Sequence, residues 1–183
     1  QNKRWIKYAF IGIFVAMCLY VPTSINFFSH EDYRGSARGM EVSLAHLMAI
    51  SVILALTLSH RFKKWVPDFG YAVYIVYFIS CLPSLSAVEN MLFGWFEVWK
   101  MIMLYFFYIA VYNYLASTDD MKTVIKCLAI FTVVNMFLVV KAHFSGIYQP
   151  HGVFPHQNCM AVAMHLFGTL FFAAYMMNGL RSR

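Results

Sequence analysis

Charged residues are scarce in this sequence. They make up 12% of the 183 residues, whereas hydrophobic residues make up 61%. A soluble domain typically carries about 25% charged residues, because its surface must face water. This deficit excludes an ordinary soluble domain and indicates that lipid surrounds most of the protein.

Cysteine is also sparse. The four cysteines are scattered along the chain without close pairs, which excludes a disulfide framework and a cysteine-based zinc motif. Cys18 and Cys127 fall within apolar runs, and Cys81 and Cys159 lie near the ends of such runs. We expect all four to pack as apolar side chains, with a bridge between Cys81 and Cys159 as a minor alternative.

A continuous basic surface is missing, although the formal net charge is +6. The lysines and arginines form small clusters between apolar runs, which is the distribution that sets membrane topology. Nucleic-acid binding requires a basic stripe or an aromatic stacking platform. The sequence has neither, so we expect no nucleic-acid partner.

Six apolar segments predict an all-α fold, a polytopic transmembrane helical bundle of about six spans in a single domain. A helix needs about 20 residues to cross a hydrocarbon core of about 30 Å. Lys126 lies one turn inside its segment, where its long side chain can reach the headgroups. The predicted spans are residues 8–28, 40–59, 69–85, 91–115, 124–140 and 159–177.

The basic residues predict the orientation of these spans. With both termini in the cytoplasm, ten of the 14 lysines and arginines lie on the cytoplasmic side and four on the exterior side. The positive-inside rule therefore favours an N-in/C-in arrangement. The four exterior residues are Arg34, Arg38, Lys100 and Lys141.

Small residues recur every four positions in the second predicted span, at Ser51, Ala55 and Ser59. This spacing lets helix backbones approach closely in lipid. We expect the three residues to form a helix-packing face.

Two arginines, Arg34 and Arg38, stand in the first exterior loop. The guanidinium group presents a planar fork of donors that suits a phosphate or a diphosphate. The alternative is a local set of salt bridges with Glu31, Asp32 and Glu41.

Glu97 and Lys100 are three residues apart near the start of the fourth span, so they share one face of a helix. Ionisable groups at this depth are costly and are usually paired or exposed to a polar cavity. We expect an interfacial ion pair, with a role in a polar cavity as the alternative.

The last exterior connection, residues 141–158, is the most informative segment. Pro150 and Pro155 stiffen it, and Gly152 permits backbone angles or close contacts that other residues forbid. Asn158 is placed to cap the sixth helix by accepting a hydrogen bond from a free backbone N–H. Because helix N-termini attract anions, a phosphate could bind here.

Histidines in and near this connection raise the question of a metal. His151 and His156, with His143 or His165, match no standard zinc spacing, and no carboxylate or cysteine joins them in sequence. A haem site would need histidines deep within spans, and only His46 and His165 come near that. We therefore expect neither a metal nor another cofactor. A histidine here could instead act as an acid or base, or donate a hydrogen bond to a sugar.

The segment that opens the sixth span resembles the O-antigen ligase and polymerase family. Members show a Gly-x-Phe-x-His/Asn-x-Asn pattern followed by small or apolar residues, and Gly152, Phe154, His156 and Asn158 match it. The upstream layout is similar too, with short cytoplasmic turns, an arginine-containing first exterior loop and a proline-serine break after the third span. The resemblance covers about ten residues closely and the whole chain loosely.

This resemblance implies a glycosyltransferase of the bacterial inner membrane. Such enzymes take a glycan from undecaprenyl diphosphate on the periplasmic face and transfer it to lipid A-core, another glycan or a protein, without a required metal. His156 is then the candidate catalytic residue. The candidate substrate-binding residues are Arg34, Arg38, His151, Gly152, Phe154, His156 and Asn158.

Two departures from the family pattern qualify the expectation. Members often carry an arginine shortly before the motif glycine, where this sequence has Gln149, Pro150 and His151. The family's large periplasmic loop, with its functional arginines and histidine, would lie beyond Arg183. We therefore expect this chain to be the front part of a longer enzyme and to be inactive alone.

A polytopic transporter or flippase subunit is the alternative function. Transporters usually interrupt helices with glycine or proline at mid-membrane in matching halves of the chain. Here the prolines stand mainly at span ends, which counts against that class. A structural or assembly protein without catalysis is the third possibility.

Overall fold

The computed structural model describes residues 2–19, 25–30, 39–68, 70–87, 90–116, 118–154 and 157–181. The protein is mostly helical (76%), with six α-helices and one two-stranded sheet in those ranges. In chain order the elements are α1 (Asn2–Cys18), β1 (Ile25–Ser29), β2 (Gly39–Val42), α2 (Leu44–Leu58), α3 (Tyr71–Cys81), a 3₁₀ helix (Leu82–Ala87), α4 (Met91–Tyr114), α5 (Thr118–Phe144) and α6 (Gln157–Arg181).

Among the described residues, three helices are long and apolar enough to cross a membrane. They cover Met91–Tyr114, Asp119–Phe144 and Gln157–Met176. These helices confirm the helical segments predicted at 91–115, 124–140 and 159–177, and they support the coarse prediction of a helical membrane protein.

Helices α2 and α3 are shorter than the spans predicted at 40–59 and 69–85. They contain 15 and 11 residues, which corresponds to about 22 Å and about 16 Å of helix. Pro83 explains the early end of α3, because it has no backbone N–H to donate to the Ile79 carbonyl. The Leu82 N–H donates to that carbonyl instead, in the pattern of a 3₁₀ helix. The chain continues after Cys81 as the 3₁₀ helix, in which the Ser86 hydroxyl donates to the Pro83 carbonyl at 2.7 Å.

The first predicted span, 8–28, has the wrong bounds. Helix α1 begins at Asn2 and ends at Cys18. A proline inside a helix removes one backbone hydrogen bond and crowds the carbonyl four residues earlier, so Pro22 disfavours continuation of α1 beyond Cys18. The last residues of the predicted span lie in strand β1.

A β-hairpin occupies the end of the first predicted span and the start of the second. Strands β1 and β2 are antiparallel, pairing Ile25 with Val42 and Ser29 with Gly39, with one irregularity between Asn26 and Phe28. The all-α prediction is therefore incomplete, because a short apolar run is compatible with either a helix or a strand.

Ser43 determines where α2 begins. Its hydroxyl accepts a hydrogen bond from the His46 backbone N–H at 3.4 Å, and His46 Nδ1 accepts one from the Ser43 N–H at 2.9 Å. This reciprocal capping box satisfies two backbone donors. The helix therefore starts after β2 instead of at Met40.

Helices α1, α2 and α4 form the buried core. The Phe10 ring stacks on the Tyr114 ring, with centroids 3.9 Å apart and planes inclined by 4°. The buried residues of this core are Ile6, Phe10, Ile13, Ala49, Val52, Ile53, Leu56, Ile109, Ala110 and Tyr114.

The packing face of α2 is centred away from the one predicted from sequence, and of the three predicted residues only Ala55 is among those that pack against the core. Ser51 is exposed and donates its hydroxyl to the Leu47 carbonyl, and Ala55 is only partly buried. The small residues that are fully buried are Ala45 and Ala49, four positions apart on another face. Small residues four positions apart are therefore buried on α2, but on a different face of the helix from the one predicted.

The two ends of the bundle differ in character. At the end that we call the basic end, residues 60–68 follow α2 near the C-terminus of α4 and the N-termini of α1 and α5. A cavity of about 180 Å³ lies there, lined by Ile6, Leu56, Arg61, Asn113, Tyr114, Ala116 and Asp120. The beginning of α1, residues 60–68 and the start of α5, three of the segments predicted to be cytoplasmic, therefore lie at one end.

The opposite end carries β1 and β2, and we call it the hairpin end. The Trp99 indole N–H donates to the Glu41 carbonyl at 3.0 Å, and the His30 ring meets the Phe93 ring edge-on at 5.2 Å. These contacts join the hairpin to the first turns of α4, whose N-terminus is capped by Asn90.

Candidate functional site

The turn that precedes α6 lies against the side of α5. The Val153 backbone N–H donates to Asn135 Oδ1 at 2.9 Å. The Phe154 ring meets the Phe131 ring edge-on, with centroids 5.9 Å apart. The two contacts hold the Gly-x-Phe part of the motif against one helix.

Gly152 occupies a position that requires glycine for two reasons. Its φ is +61°, in the left-handed region that other residues rarely adopt. A Cβ at this position would lie 2.8 Å from Asn135 Cγ and would overlap Asn135 Oδ1. The expectation that this glycine serves an unusual backbone angle and a close approach is confirmed.

Asn135 is the polar centre of this arrangement. Its side chain is fully buried, and no hydrogen-bond partner of Nδ2 lies within the part of the chain that the structure describes. It stands nine residues after Lys126 and six before Lys141. The residues between these two lysines carry no charge, so Asn135 lies well inside the apolar stretch of α5.

Phe131 connects the turn to both helices. Its ring is 2% exposed and meets the Phe167 ring of α6 edge-on at 6.2 Å, in addition to Phe154. Elsewhere α6 is largely unburied, and its membrane-length segment has no buried residue. The turn and Phe131 therefore provide the main attachment of α6 that the described residues show.

The other predicted site residues are either exposed or outside the described part of the chain. His151 is exposed, although its carbonyl accepts a hydrogen bond from the Phe154 N–H at 3.1 Å. Asn158 is exposed within the first turn of α6, which begins one residue earlier. It is therefore not the cap residue that we predicted. Arg34, Arg38 and His156 lie outside the described residues.

The ion pair predicted on α4 is present. Lys100 Nζ lies 2.6 Å from Glu97 Oε1. The pair stands toward the hairpin end, on the same first turns of α4 that carry Trp99.

Metal-binding geometry is absent from the ranges that the structure covers, where no three His, Cys, Asp or Glu side chains cluster. The four cysteines are free thiols, of which Cys127 is buried and Cys159 is exposed. The expectation of uniform apolar packing therefore fails for Cys159.

Sequence reasoning missed Asn113, the buried polar residue of the basic end. Its Oδ1 accepts the backbone N–H groups of Lys63 at 2.7 Å and Lys64 at 3.0 Å, and its Nδ2 donates to the carbonyls of Lys64 and Ile109. The available signal was an asparagine near the end of a long apolar run, where an unpaired amide would be costly.

An exposed ion pair completes the loop at the basic end. Lys64 Nζ lies 2.7 Å from Asp68 Oδ1. The hydrogen bond and the positive charge of Lys64 lower the pKa of the Asp68 carboxyl, and the same hydrogen bond and the carboxylate charge raise the pKa of Lys64.

Comparisons with known proteins add no relative. No protein-family model matches this sequence, and searches of curated proteins and of solved structures found no match.

Proposed function

We propose that the chain is part of a bacterial inner-membrane glycan ligase or polymerase with about six spans and both ends in the cytoplasm. In this proposal the full-length protein transfers a glycan from undecaprenyl diphosphate to another glycan, lipid A-core or a protein on the periplasmic face. The support is the motif around the start of α6 and the grouping of three basic segments, those of α1, residues 60–68 and α5, at one end of the bundle.

One observation carries the proposal. Two of the four motif residues, Gly152 and Phe154, flank the Val153 N–H that bonds to α5 and contact the same helix themselves. No side chain fits at the glycine, and the phenylalanine ring packs on Phe131. We propose that this anchored turn sets the position of the two motif residues that follow it in sequence, His156 and Asn158. Fixed placement is what a transfer site needs, since misplacing reacting groups by about 1 Å is costly.

The proposed reaction is a substitution at the anomeric carbon. The acceptor hydroxyl attacks that carbon, the bond from carbon to the diphosphate oxygen breaks, and the diphosphate leaves with the electron pair. His156 takes the proton of the hydroxyl as general base. The donors for the diphosphate are Arg34, Arg38 and His151, together with the backbone N–H groups at the start of α6.

The test uses the full-length protein in its membrane. His156→Ala and Asn158→Ala are each expected to reduce glycan transfer, measured by gel analysis of the glycosylated acceptor, while the amount of protein in the membrane stays constant. His165→Ala and Gln157→Ala are the matched controls, because they remove a histidine and an amide elsewhere on α6. Normal transfer in both test variants would reject a functional role for the turn.

A transporter or flippase subunit is the second candidate, and one observation favours it. The irregular segment before α6 contacts the middle of α5, and transporters place irregular backbone at such depths around their substrates. Proteoliposomes distinguish the two functions. Movement of an intact lipid-linked glycan across the bilayer supports transport, whereas cleavage of the diphosphate linkage with acceptor present supports the transferase.

A further inference from the structure

We propose that residues 145–154 form a re-entrant segment, which enters the membrane beside α5 and is anchored there by the side chain of Asn135. Asn135 is thus a positioning residue for the turn. This placement of the backbone is independent of the proposed glycan transfer.

The depth follows from the position of the contact along α5. The helix ends at Phe144, and Asn135 lies nine residues earlier, which is about 13 Å along the helix axis. Val153 reaches Asn135, so the chain leaves α5 at its end and returns toward its middle. A connection that stayed at the surface would contact only the last turn of the helix.

The sequence around Asn135 places this residue at a depth within the membrane, not at its boundary. If the membrane boundary lay at Asn135, the exposed apolar side chains of Met136, Phe137 and Val140 would stand in water. The same shift would move the exposed Lys126 toward the bilayer centre, at a large cost. Both effects favour a boundary near Lys141.

The side chain of Asn135 supplies a hydrogen-bond acceptor, which non-helical backbone requires inside a membrane. Lipid offers no hydrogen bonds, so each N–H of a non-helical segment must find a partner in the protein. Asn135 Oδ1 accepts the Val153 N–H, and the His151 carbonyl accepts the Phe154 N–H. Gly152 lets the backbone approach the amide, and Phe154 fills the space beside Phe131.

Thiol labelling tests the placement. Single cysteines replace Val153 or Tyr148 in the full-length protein after its native cysteines have been changed to serine. A water-soluble, membrane-impermeant maleimide is applied to intact membranes. Tyr148 is 88% exposed, at the outer part of the segment, so V153C is expected to react at least about tenfold more slowly than Y148C.

The anchor is tested by adding Asn135→Leu to the V153C protein. Leucine has a similar size and accepts no hydrogen bond, so the segment is released and labelling is expected to accelerate on the order of tenfold, the effect of losing one buried hydrogen bond. Gly152→Ala disturbs the same contact from the other side and should accelerate labelling similarly. Its control is Gly146→Ala, because Gly146 also has a positive φ (+77°) but open space around it.

Two results would overturn the proposal, one for the placement and one for the anchor. Equal labelling of V153C and Y148C in the native background overturns the re-entrant placement. Slow labelling that neither Asn135→Leu nor Gly152→Ala accelerates overturns the anchor. If Asn135→Leu fails to reach the membrane, Gly152→Ala alone decides. Loss of glycan transfer is not a readout here, so failure of the proposed function leaves these results unaffected.

Discussion

The rings of Phe10 and Tyr114 lie parallel in the core, with centroids 3.9 Å apart, and join α1 to α4. Truncating a buried phenylalanine costs about 3 to 5 kcal/mol in a protein core. Part of that cost comes from transfer of the side chain between an apolar environment and water. This part is smaller in a membrane protein, because lipid is apolar as well. We expect Phe10→Ala to lower the free energy of unfolding by about 1 to 3 kcal/mol.

The matched control for this change is Tyr8→Ala, since Tyr8 is an aromatic residue of the same helix with 63% exposure. Thermal unfolding in detergent measures both variants. Equal losses in the two would contradict a specific role for the stack.

Asn113 is expected to hold the loop of the basic end. Asn113→Leu leaves the N–H groups of Lys63 and Lys64 without their acceptor. Water reaches this exposed loop and offsets part of the loss, so we expect destabilisation by about 1 to 2 kcal/mol. Trypsin should cleave after Lys63 and Lys64 faster in the variant, with Val66→Ala, at an exposed residue of the same loop, as the control. Unchanged cleavage would rule out the anchoring role.

The ion pair between Lys64 and Asp68 predicts a weak pH dependence. The pKa of Asp68 is lowered, so its stabilisation is present above the ordinary carboxyl pKa and is lost as the pH falls through the lowered value. Lys64, with its raised pKa, loses its contribution only as the pH rises through that value. Asp68→Asn should therefore lower the melting temperature slightly at about pH 7 and leave it unchanged at about pH 2. A difference of the same size at both pH values would contradict this account.

The orientation of the bundle can be read from reporter fusions. A reporter joined after Lys64 is expected to report the cytoplasm, and one joined after Tyr148 the exterior, because the basic residues cluster at the end that carries Lys64. Activity on the same side at both positions would remove the compartment that the proposed reaction requires.

The sequence predicted the parts of this fold that depend on local properties. Hydropathy and length located α4, α5 and α6, since a long apolar run forms a helix wherever it packs. A three-residue spacing predicted the Glu97–Lys100 pair, which lies on one helix face. Gly152 could be singled out because its backbone angle is a property of the turn itself.

Other features escaped prediction for identifiable reasons. Hydropathy extended the first span through Pro22 and into β1, because an apolar strand and an apolar helix have the same composition. The packing face of α2 was misjudged, since small residues occur on two faces and only the neighbouring helices select Ala45 and Ala49. The catalytic and substrate-binding roles of all the predicted site residues stay predictions, and three of these residues, Arg34, Arg38 and His156, lie outside the described part of the chain.

The sequence by itself determined that this chain is apolar, helical and punctuated by basic loops, because these are sums over neighbouring residues. Only the tertiary structure decided which amide meets which backbone group. Asn135 and Val153 are 18 residues apart, and Asn113 and Lys63 are 50 apart. The energy of such a contact appears only when the chain folds back on itself, because a buried hydrogen bond requires its two partners to be brought within about 3 Å.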